Sequence, residues 1–422
     1  MKLSVVGLGH IGLPTAAMFA RAGFEVAGYD SQAAVRRDIL AESVADAQVR
    51  AIVRVALRNG RLRVVDSLES ADAFIICVPT PTAERKPDLC YVAQSAKAIA
   101  PLLRDGDLVI LESTVPPGTT ERIIAGAIRE AGRDPDTVRI VHAPERVIPG
   151  NIVCELRQNA RIVGGRRSGD AQAAADLYAS FVRGEIHLTD CRTAELVKVI
   201  ENTYRDINIA YANELALLSE ELDVDVWEAI RLANDHPRVN IMFPGPGVGG
   251  HCIPVDPHFL SNANPFVTEL IQTSRRINER MPHVVVRRVA EYVQPGATIA
   301  VLGAAYKANV DDTRESPTEQ VEELLHERGF TTRVFDPVAD RYVRPLAATI
   351  EEAVTGADAV VLMVGHDAFK QLDPAALATL MRGRVLIDTR RFYDGDAWAE
   401  AGFQVYALGG RRRAARPIAA AS

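Results

Sequence analysis

The sequence predicts an α/β protein with two doubly wound parallel sheets, joined by a long central helix and a helical region that pairs two copies. Three observations predict it. Short apolar runs alternate with helical or loop segments near both ends of the chain, and such alternation builds parallel sheets. A glycine-punctuated turn, Gly7-Leu8-Gly9-His10-Ile11-Gly12, follows the first run. Between the alternating regions, Thr193 to Asn234 contains neither Gly nor Pro and is rich in helix formers. The expected division is a first Rossmann-like domain over 1–190 and a central helical dimerisation domain over 191–290. A second Rossmann-like domain follows over 291–410, with a basic flexible tail over 411–422.

At 422 residues, with 48% hydrophobic and 24% charged side chains, the chain suits two or three ordinary globular domains. Its net charge of −7 argues against nucleic acid as a partner, so an anionic substrate has to be met by local arginine and lysine. No apolar run approaches the roughly 18 residues of a membrane span. The first apolar stretch turns into glycines too soon for a secretory signal, so no membrane insertion and a cytoplasmic location are expected. Five cysteines (Cys77, Cys90, Cys154, Cys191 and Cys252) are odd in number and lack CxxC spacing. Neither a disulfide framework nor a metal site is expected from them.

The first domain reads as strand, turn, helix, strand: Leu3 to Val6, the glycine turn, Pro14 to Arg21, then an apolar run ending at Asp30. In that context the three glycines serve a tight turn, close approach to a diphosphate and close helix packing, while Asp30 accepts hydrogen bonds from a ribose. NAD is the expected cofactor, held by Gly7, Gly9, His10, Ile11, Gly12 and Asp30. No arginine immediately follows Asp30, which disfavours NADP. Further strands are expected at Ala73 to Val78, Leu108 to Leu111 and Arg139 to His142. Their carboxyl ends carry Pro79-Thr80-Pro81, Ser113-Thr114-Val115-Pro116 and Ala143-Pro144-Glu145-Arg146-Val147, where ligands of such sheets sit.

Within the central helix, Lys198, Asn202 and Arg205 share one face at i, i+4 and i+7. A polar stripe of this kind is usually just a solvated face. The stretch NDHPRV, with His236 and Arg238, then leads to PGPGVGGHCIPVDPHF over Pro244 to Phe259, a backbone neither helical nor extended. Its single thiol, Cys252, stands four residues before Asp256. A lone cysteine is often a small buried hydrophobe, but one in a glycine-rich loop is approachable as a nucleophile. The C-terminal region repeats strand and helix signals: strands Thr298 to Ala304, Thr332 to Phe335, Ala359 to Val364 and Arg384 to Asp388, and helices Glu319 to Arg328 and Ile350 to Thr355. It lacks the glycine fingerprint, so a nucleotide is its natural ligand.

GGHCIPVDP at Gly249 to Pro257 and the pattern ENxxRDxxIAxxNE at Glu201 to Glu214 resemble the UDP-glucose/GDP-mannose dehydrogenase family, over nearly the whole chain to about Arg391. The resemblance implies NAD-dependent four-electron oxidation of a nucleotide sugar at its C6 hydroxyl through a thiohemiacetal and thioester on Cys252. It assigns Lys198 and Asn202 to stabilising the oxyanion, and Asp256 and Glu145 to positioning water. It places Thr80, Thr114 and Arg314 at NAD. Arg146, Val147, Arg205, His236, Arg238, Gly249, Tyr306 and Lys307 fall at the substrate, with Lys198 and Asn202. Position 255 is valine where the UDP-glucose and GDP-mannose enzymes carry lysine, and position 251 is histidine where the UDP-glucose enzymes carry serine. Both departures point to an N-acetylated UDP-hexosamine, with UDP-N-acetyl-D-mannosamine expected first and UDP-N-acetyl-D-glucosamine as the alternative. A homodimer or a multiple of it is expected through the long helix. Two rivals follow from the same residues: a non-catalytic NAD-binding assembly module, and a hydroxyacid dehydrogenase that transfers one hydride and needs no cysteine.

Overall fold

The computed structural model describes residues 1–83, 85–148 and 150–411. All but the first residue of the expected basic tail lies outside them. The chain packs as two compact units, Met1–Glu201 with His258–Ala263, and Asn202–Pro257 with the chain from Asn264 onward. The segment 191–290, expected as a central domain, is thus distributed between the two.

The first unit contains an eight-stranded sheet: β1 (Lys2–Val6), β2 (Glu25–Tyr29), β3 (Leu62–Val65), β4 (Ala73–Ile76), β5 (Leu108–Leu111), β6 (Arg139–His142), β7 (Arg161–Gly165) and β8 (Ile186–Asp190). Their order is β8-β7-β6-β5-β4-β1-β2-β3. Successive residues of β4 feed opposite faces: Ala73 and Ile75 join one apolar cluster, Phe74 and Ile76 the other. A strand covered on both faces has to be apolar throughout, which is why these runs stood out in the sequence. The strand order reverses between β1 and β4, and a crevice opens there at the carboxyl ends. The expected parallel order is interrupted once. β7 runs antiparallel to β6 through Val141↔Gly165 and His142↔Gly164, after a short return through the helix Ile152–Gln158.

The second unit contains a parallel five-stranded sheet: β9 (Thr298–Leu302), β10 (Thr331–Phe335), β11 (Ala359–Leu362), β12 (Val385–Asp388) and β13 (Gln404–Ala407), in the order β10-β9-β11-β12-β13. β11 divides its residues between two clusters in the same way, Ala359 and Val361 to one and Val360 and Leu362 to the other.

The expected central helix runs over Cys191–Leu222, followed by Val226–Asn234. Its polarity is inverted. Leu196, Ile200, Tyr204, Tyr211, Leu218 and Leu222 are exposed, at spacings of 4, 4, 7, 7 and 4 residues that form one stripe. Glu195, Lys198, Asn202, Asp206, Asn213 and Glu220 are buried. The solvated-face reading of Lys198 and Asn202 is therefore overturned, since both are almost fully covered. Burying such groups costs several kcal/mol each unless they are partnered, and the partners are built in. Arg275 reaches Asp206 at 2.6 Å, and Arg288 reaches Glu220. Among the described residues no helix is long and apolar enough to cross a membrane.

Candidate active site

In the first unit the glycine turn fits a diphosphate. Gly7 has φ +89°, and a Cβ there would meet the Cys77 carbonyl at 2.6 Å; a Cβ on Gly12 would collide with the Gly7 carbonyl. Gly9 faces open space, with no atom within 4 Å of the position a Cβ would take, leaving room for a phosphate against the backbone. His10 and Ile11 complete the turn into the helix Gly12–Arg21. Asp30, half-buried at the end of β2, accepts from Leu8 N at 2.9 Å and Gln32 N at 2.8 Å. Each carboxylate oxygen carries a further lone pair for a ribose hydroxyl. These residues fit NAD. Thr80 Oγ1 donates to the Thr114 carbonyl at 2.7 Å, so the two threonine loops at adjacent strand ends are tied together.

Glu145 and Lys198 meet in the same unit, with Nζ 3.0 Å from Oε1. Glu145 Oε2 also accepts from Val147 N at 2.8 Å, which fixes the carboxylate's direction. Arg146 bridges Glu201 at 2.6 Å and donates to the Ala160 carbonyl. The helix that carries Lys198 also carries a buried residue that the sequence reading missed. Glu195, one turn earlier and fully buried, accepts from Thr120 N at 2.6 Å and from Gly118 N, capping the helix Thr119–Glu130 that follows the Thr114 loop. His142, at the end of β6, was missed as a buried titratable group. Burial, with Arg161 and Lys198 adding to it, lowers its pKa to about 3, so the ring is neutral at working pH.

In the second unit Asn202 is oriented from both ends. Its Nδ2 donates to Asp256 Oδ2 and its Oδ1 accepts from Arg205. Arginine only donates and carboxylate only accepts, so the amide's direction is fixed chemically. Asp256 begins the helix Asp256–Ala263, and its N–H donates to the Cys252 carbonyl at 2.9 Å. Val255 N reaches the same carbonyl at 3.1 Å, so Cys252 closes a tight turn.

The cysteine loop is seated on the segment 306–317, which carries the expected ligand residues Tyr306, Lys307 and Arg314. A Cβ on Gly249 would stand 2.5 Å from the Glu315 carbonyl; one on Gly250, at φ +87°, would stand 2.9 Å from the Tyr306 ring. His251 faces Tyr306 edge-on, with Nδ1 3.9 Å from Asp312. Burial, then the charges of Asp312 and Cys252, push the Tyr306 phenol up. Arg314 grips Asp312 with two bonds of 2.9 and 2.6 Å. Burial favours the protonated Asp312 carboxyl, but Arg314 outweighs it and holds the group below its usual range. Lys307 is exposed, as are His236 and Arg238, whose loop is closed by Asn234 pairing both ways with the Ile241 backbone at 2.7 and 2.9 Å.

Two other thiols, Cys77 and Cys191, are held protonated by their surroundings. Cys77 donates to Glu112 at 3.0 Å, and burial followed by that carboxylate pushes its pKa well up. Cys191 is pushed to about 12 by burial and Glu195. Neither supplies thiolate at neutral pH.

The sequence matches three domains of the UDP-glucose/GDP-mannose dehydrogenase family: the NAD binding domain over residues 1–182, the central domain over 192–280 and the UDP binding domain over 300–395. It is 43% identical to a UDP-N-acetyl-D-mannosamine dehydrogenase of Methanocaldococcus jannaschii, across 98% of this chain and 97% of that one. It is 45% identical to an NDP-N-acetyl-D-galactosaminuronic acid dehydrogenase of Ralstonia solanacearum, across 92% and 95%. The fold superimposes on the solved UDP-D-ManNAc dehydrogenase of Pyrococcus horikoshii with a TM-score of 0.90 at 41% identity, covering 97% of this chain and 99% of that one.

Proposed function

The chain belongs to the UDP-glucose/GDP-mannose dehydrogenase family, NAD-dependent oxidoreductases of nucleotide sugars, and from that premise we propose that it oxidises the C6 hydroxyl of UDP-N-acetyl-D-mannosamine to the carboxylate. The observation that carries the reading is the junction at Asp256. Its backbone N–H holds the carbonyl of Cys252, and its carboxylate holds the amide of Asn202, so a half-buried thiol and an oriented donor share one anchor.

NAD, when bound, accepts one hydride in each of the two oxidations. The chain's own residues do the rest. The C6 hydroxyl proton passes to Lys198, whose ammonium hands one of its own protons to Glu145, as the first hydride leaves and the aldehyde forms. The Cys252 thiolate adds to that aldehyde, making a carbon–sulfur bond and a thiohemiacetal alkoxide. Lys198 and the second Nδ2 proton of Asn202 stabilise this oxyanion. Loss of one such donor costs about 2.7–4 kcal/mol in the barrier by analogy with oxyanion holes. Departure of the second hydride leaves a thioester, which holds the aldehyde carbon covalently and prevents its escape. Water oriented by Asp256 and Glu145 attacks the thioester and gives a proton to Asp256, the carbon–sulfur bond breaks, and the acid and the Cys252 thiolate are released. Arg146, Val147, Arg205, His236, Arg238, Gly249, Tyr306 and Lys307 bind the nucleotide sugar in this reading, and Arg314 meets NAD.

The assignment to an N-acetylated sugar is supported by His251 and Val255 in the cysteine loop and by the relatives' names. The Ralstonia relative favours a second reading in which the N-acetylhexosamine has the galacto configuration. We propose further that two copies pair through the exposed stripe of the helix Cys191–Leu222, which would bury six large apolar side chains. The test of substrate is a panel of UDP-N-acetylmannosamine, UDP-N-acetylglucosamine, UDP-N-acetylgalactosamine and UDP-glucose, counting NADH formed per sugar. Two NADH per UDP-N-acetylmannosamine, with the highest kcat/KM of the panel, is the expected result. A faster member of the panel replaces the assigned sugar, and one NADH per sugar removes the four-electron reaction.

A further inference from the structure

The pattern read at Glu201 to Glu214 contains two buried polar residues, Asp206 and Asn213, that the proposed chemistry does not use. Both are fully buried in the second unit. Asn213 Oδ1 accepts from the backbone N–H of Gly245 at 2.8 Å, and its Nδ2 donates to Asn278 Oδ1 at 2.9 Å. Asn278 Nδ2 in turn donates to Asp206, to the carboxylate Oδ1 at 2.8 Å and to the main-chain carbonyl at 2.9 Å. Arg275 closes the chain on Asp206 Oδ1 at 2.6 Å.

The direction of this relay is fixed at both ends. A peptide N–H only donates and a carboxylate only accepts, so each amide has one orientation that satisfies its neighbours. Gly245 stands at the start of the glycine run that ends in Cys252. A Cβ on Gly245 would approach Arg390 Nη1 at 2.5 Å, so the backbone there is confined from the opposite side as well. The loop between Pro244 and Gly250 has no regular secondary structure, and its other registration is the packing of Gly249 and Gly250 on Tyr306 and Glu315.

We propose that Asn213 is a positioning residue for Cys252. It hangs the origin of the cysteine loop from the buried Asp206–Asn278 pair, and so sets where the thiol stands without touching the substrate. This rests on the reading of Cys252 as the nucleophile for its catalytic consequence, but not for its structural one. A displacement of about 1 Å at a reacting atom costs on the order of 100-fold in rate.

The test uses the full-length protein and three variants. Asn213→Leu fills the same space without hydrogen bonds. Asn213→Asp keeps an acceptor for Gly245 N–H, and Asn213→Ser supplies a shorter side chain if leucine prevents folding. Two readouts are taken: the iodoacetamide alkylation rate of Cys252, resolved by peptide mass spectrometry from that of exposed Cys90, and kcat with KM for NAD. The expected result for leucine or serine is a change of about fivefold or more in Cys252 alkylation, unchanged Cys90 alkylation, and a kcat lowered on the order of 100-fold with KM for NAD within about twofold. The aspartate variant keeps the acceptor for Gly245 N–H but cannot donate to Asn278 Oδ1, so it falls between the leucine variant and the unsubstituted protein in both. In the unsubstituted protein the Gly245 amide exchanges slowly with deuterium. Normal Cys252 alkylation in the leucine or serine variant, or fast exchange at Gly245, overturns the proposal. Should Cys252→Ala retain turnover, the nucleophile reading fails by itself, while alkylation of Cys252 and exchange at Gly245 still decide the loop's anchorage.

Discussion

The two sheets begin with the same device and use it for different ends. In each, a glycine with positive φ ends the first strand, Gly7 at +89° and Gly303 at +96°, and an aspartate ends the second. In each, that aspartate accepts backbone N–H groups from the turn: Asp30 from Leu8, Asp336 from Ala304 and Ala305 at 2.7 and 3.0 Å. The first turn continues with glycines and leaves space at Gly9. The second continues Ala304-Ala305-Tyr306, and its aspartate also accepts from Val338 N, Ala339 N and His366 Nε2. Asp336 is saturated and buried, while Asp30 retains acceptor capacity at a partly open edge. A strand-end carboxylate is thus a ligand group or a structural rivet according to how many donors the surrounding loops supply.

Swapping the consequences of the two aspartates gives the largest expected effects. Asp336→Ala leaves His366 and four backbone donors without their acceptor, and about 3–5 kcal/mol of stability should be lost, seen as a large fall in denaturation midpoint. Asp30→Ala should cost only about 1 kcal/mol in stability but weaken NAD binding roughly 10- to 100-fold. Similar losses of stability in the two variants would break the comparison. The unsubstituted protein should also use NAD far better than NADP, because the Asp30 carboxylate repels a 2′-phosphate. Equal turnover with the two cofactors would contradict this.

The acid limb of stability separates the sheets further. His142 in the first unit has its pKa lowered to about 3 by burial, Arg161 and Lys198. The unfolded ring binds its proton near pH 6.5. Stability is therefore complete above about pH 6.5 and is lost as pH falls towards 3, with a slope of at most about 1.4 kcal/mol per pH unit. Burial raises Asp336, but His366 and its backbone donors outweigh this and depress it strongly, so its contribution is lost only below about pH 4, the unfolded carboxylate range. His142→Gln should flatten the stability profile between pH 6.5 and 4 in urea titrations, and an unchanged slope would remove this assignment. The smallest intrinsic effect on the fold is expected at the exposed stripe. Tyr211→Glu with Leu218→Glu should leave thermal unfolding of each unit nearly unchanged but shift sedimentation from dimer, or a multiple of it, to monomer. A wild-type protein sedimenting as a monomer at micromolar concentration would contradict the pairing.

The strands that were legible in the sequence are the ones covered on both faces, such as Ala73–Ile76 and Ala359–Leu362, because full burial demands an unbroken apolar run. Those missed carry charge or exposure for local reasons. β7 opens with Arg161, whose charge is met by buried Glu112, and the edge strand β8 is mostly exposed. The helix Glu269–Tyr292 was hidden by Pro282, which removes one backbone donor but is accommodated inside it. At the candidate site, the family resemblance pointed to Cys252, Asn202 and Lys198. Glu195, Asp206 and Asn213 were not legible, because each acts through backbone groups or amides far away in sequence. A signal was present nonetheless: polar residues at helical spacing among alanines and valines on the face opposite an apolar stripe.

In the proposed reaction Cys252 carries the sugar covalently through the second oxidation. The direct measurement is intact-protein mass together with NADH release after mixing Cys252→Ala, Cys252→Ser and the unsubstituted protein with NAD and UDP-N-acetylmannosamine. The unsubstituted protein should form the acid with two NADH per sugar. The serine variant should retain NAD and UDP-sugar affinity and hold a slowly resolving adduct, since an ester leaves less readily than a thioester. The alanine variant should show no adduct and no steady formation of acid. Wild-type rates of acid formation by Cys252→Ala would contradict the covalent mechanism and the role given to the loop that presents this thiol.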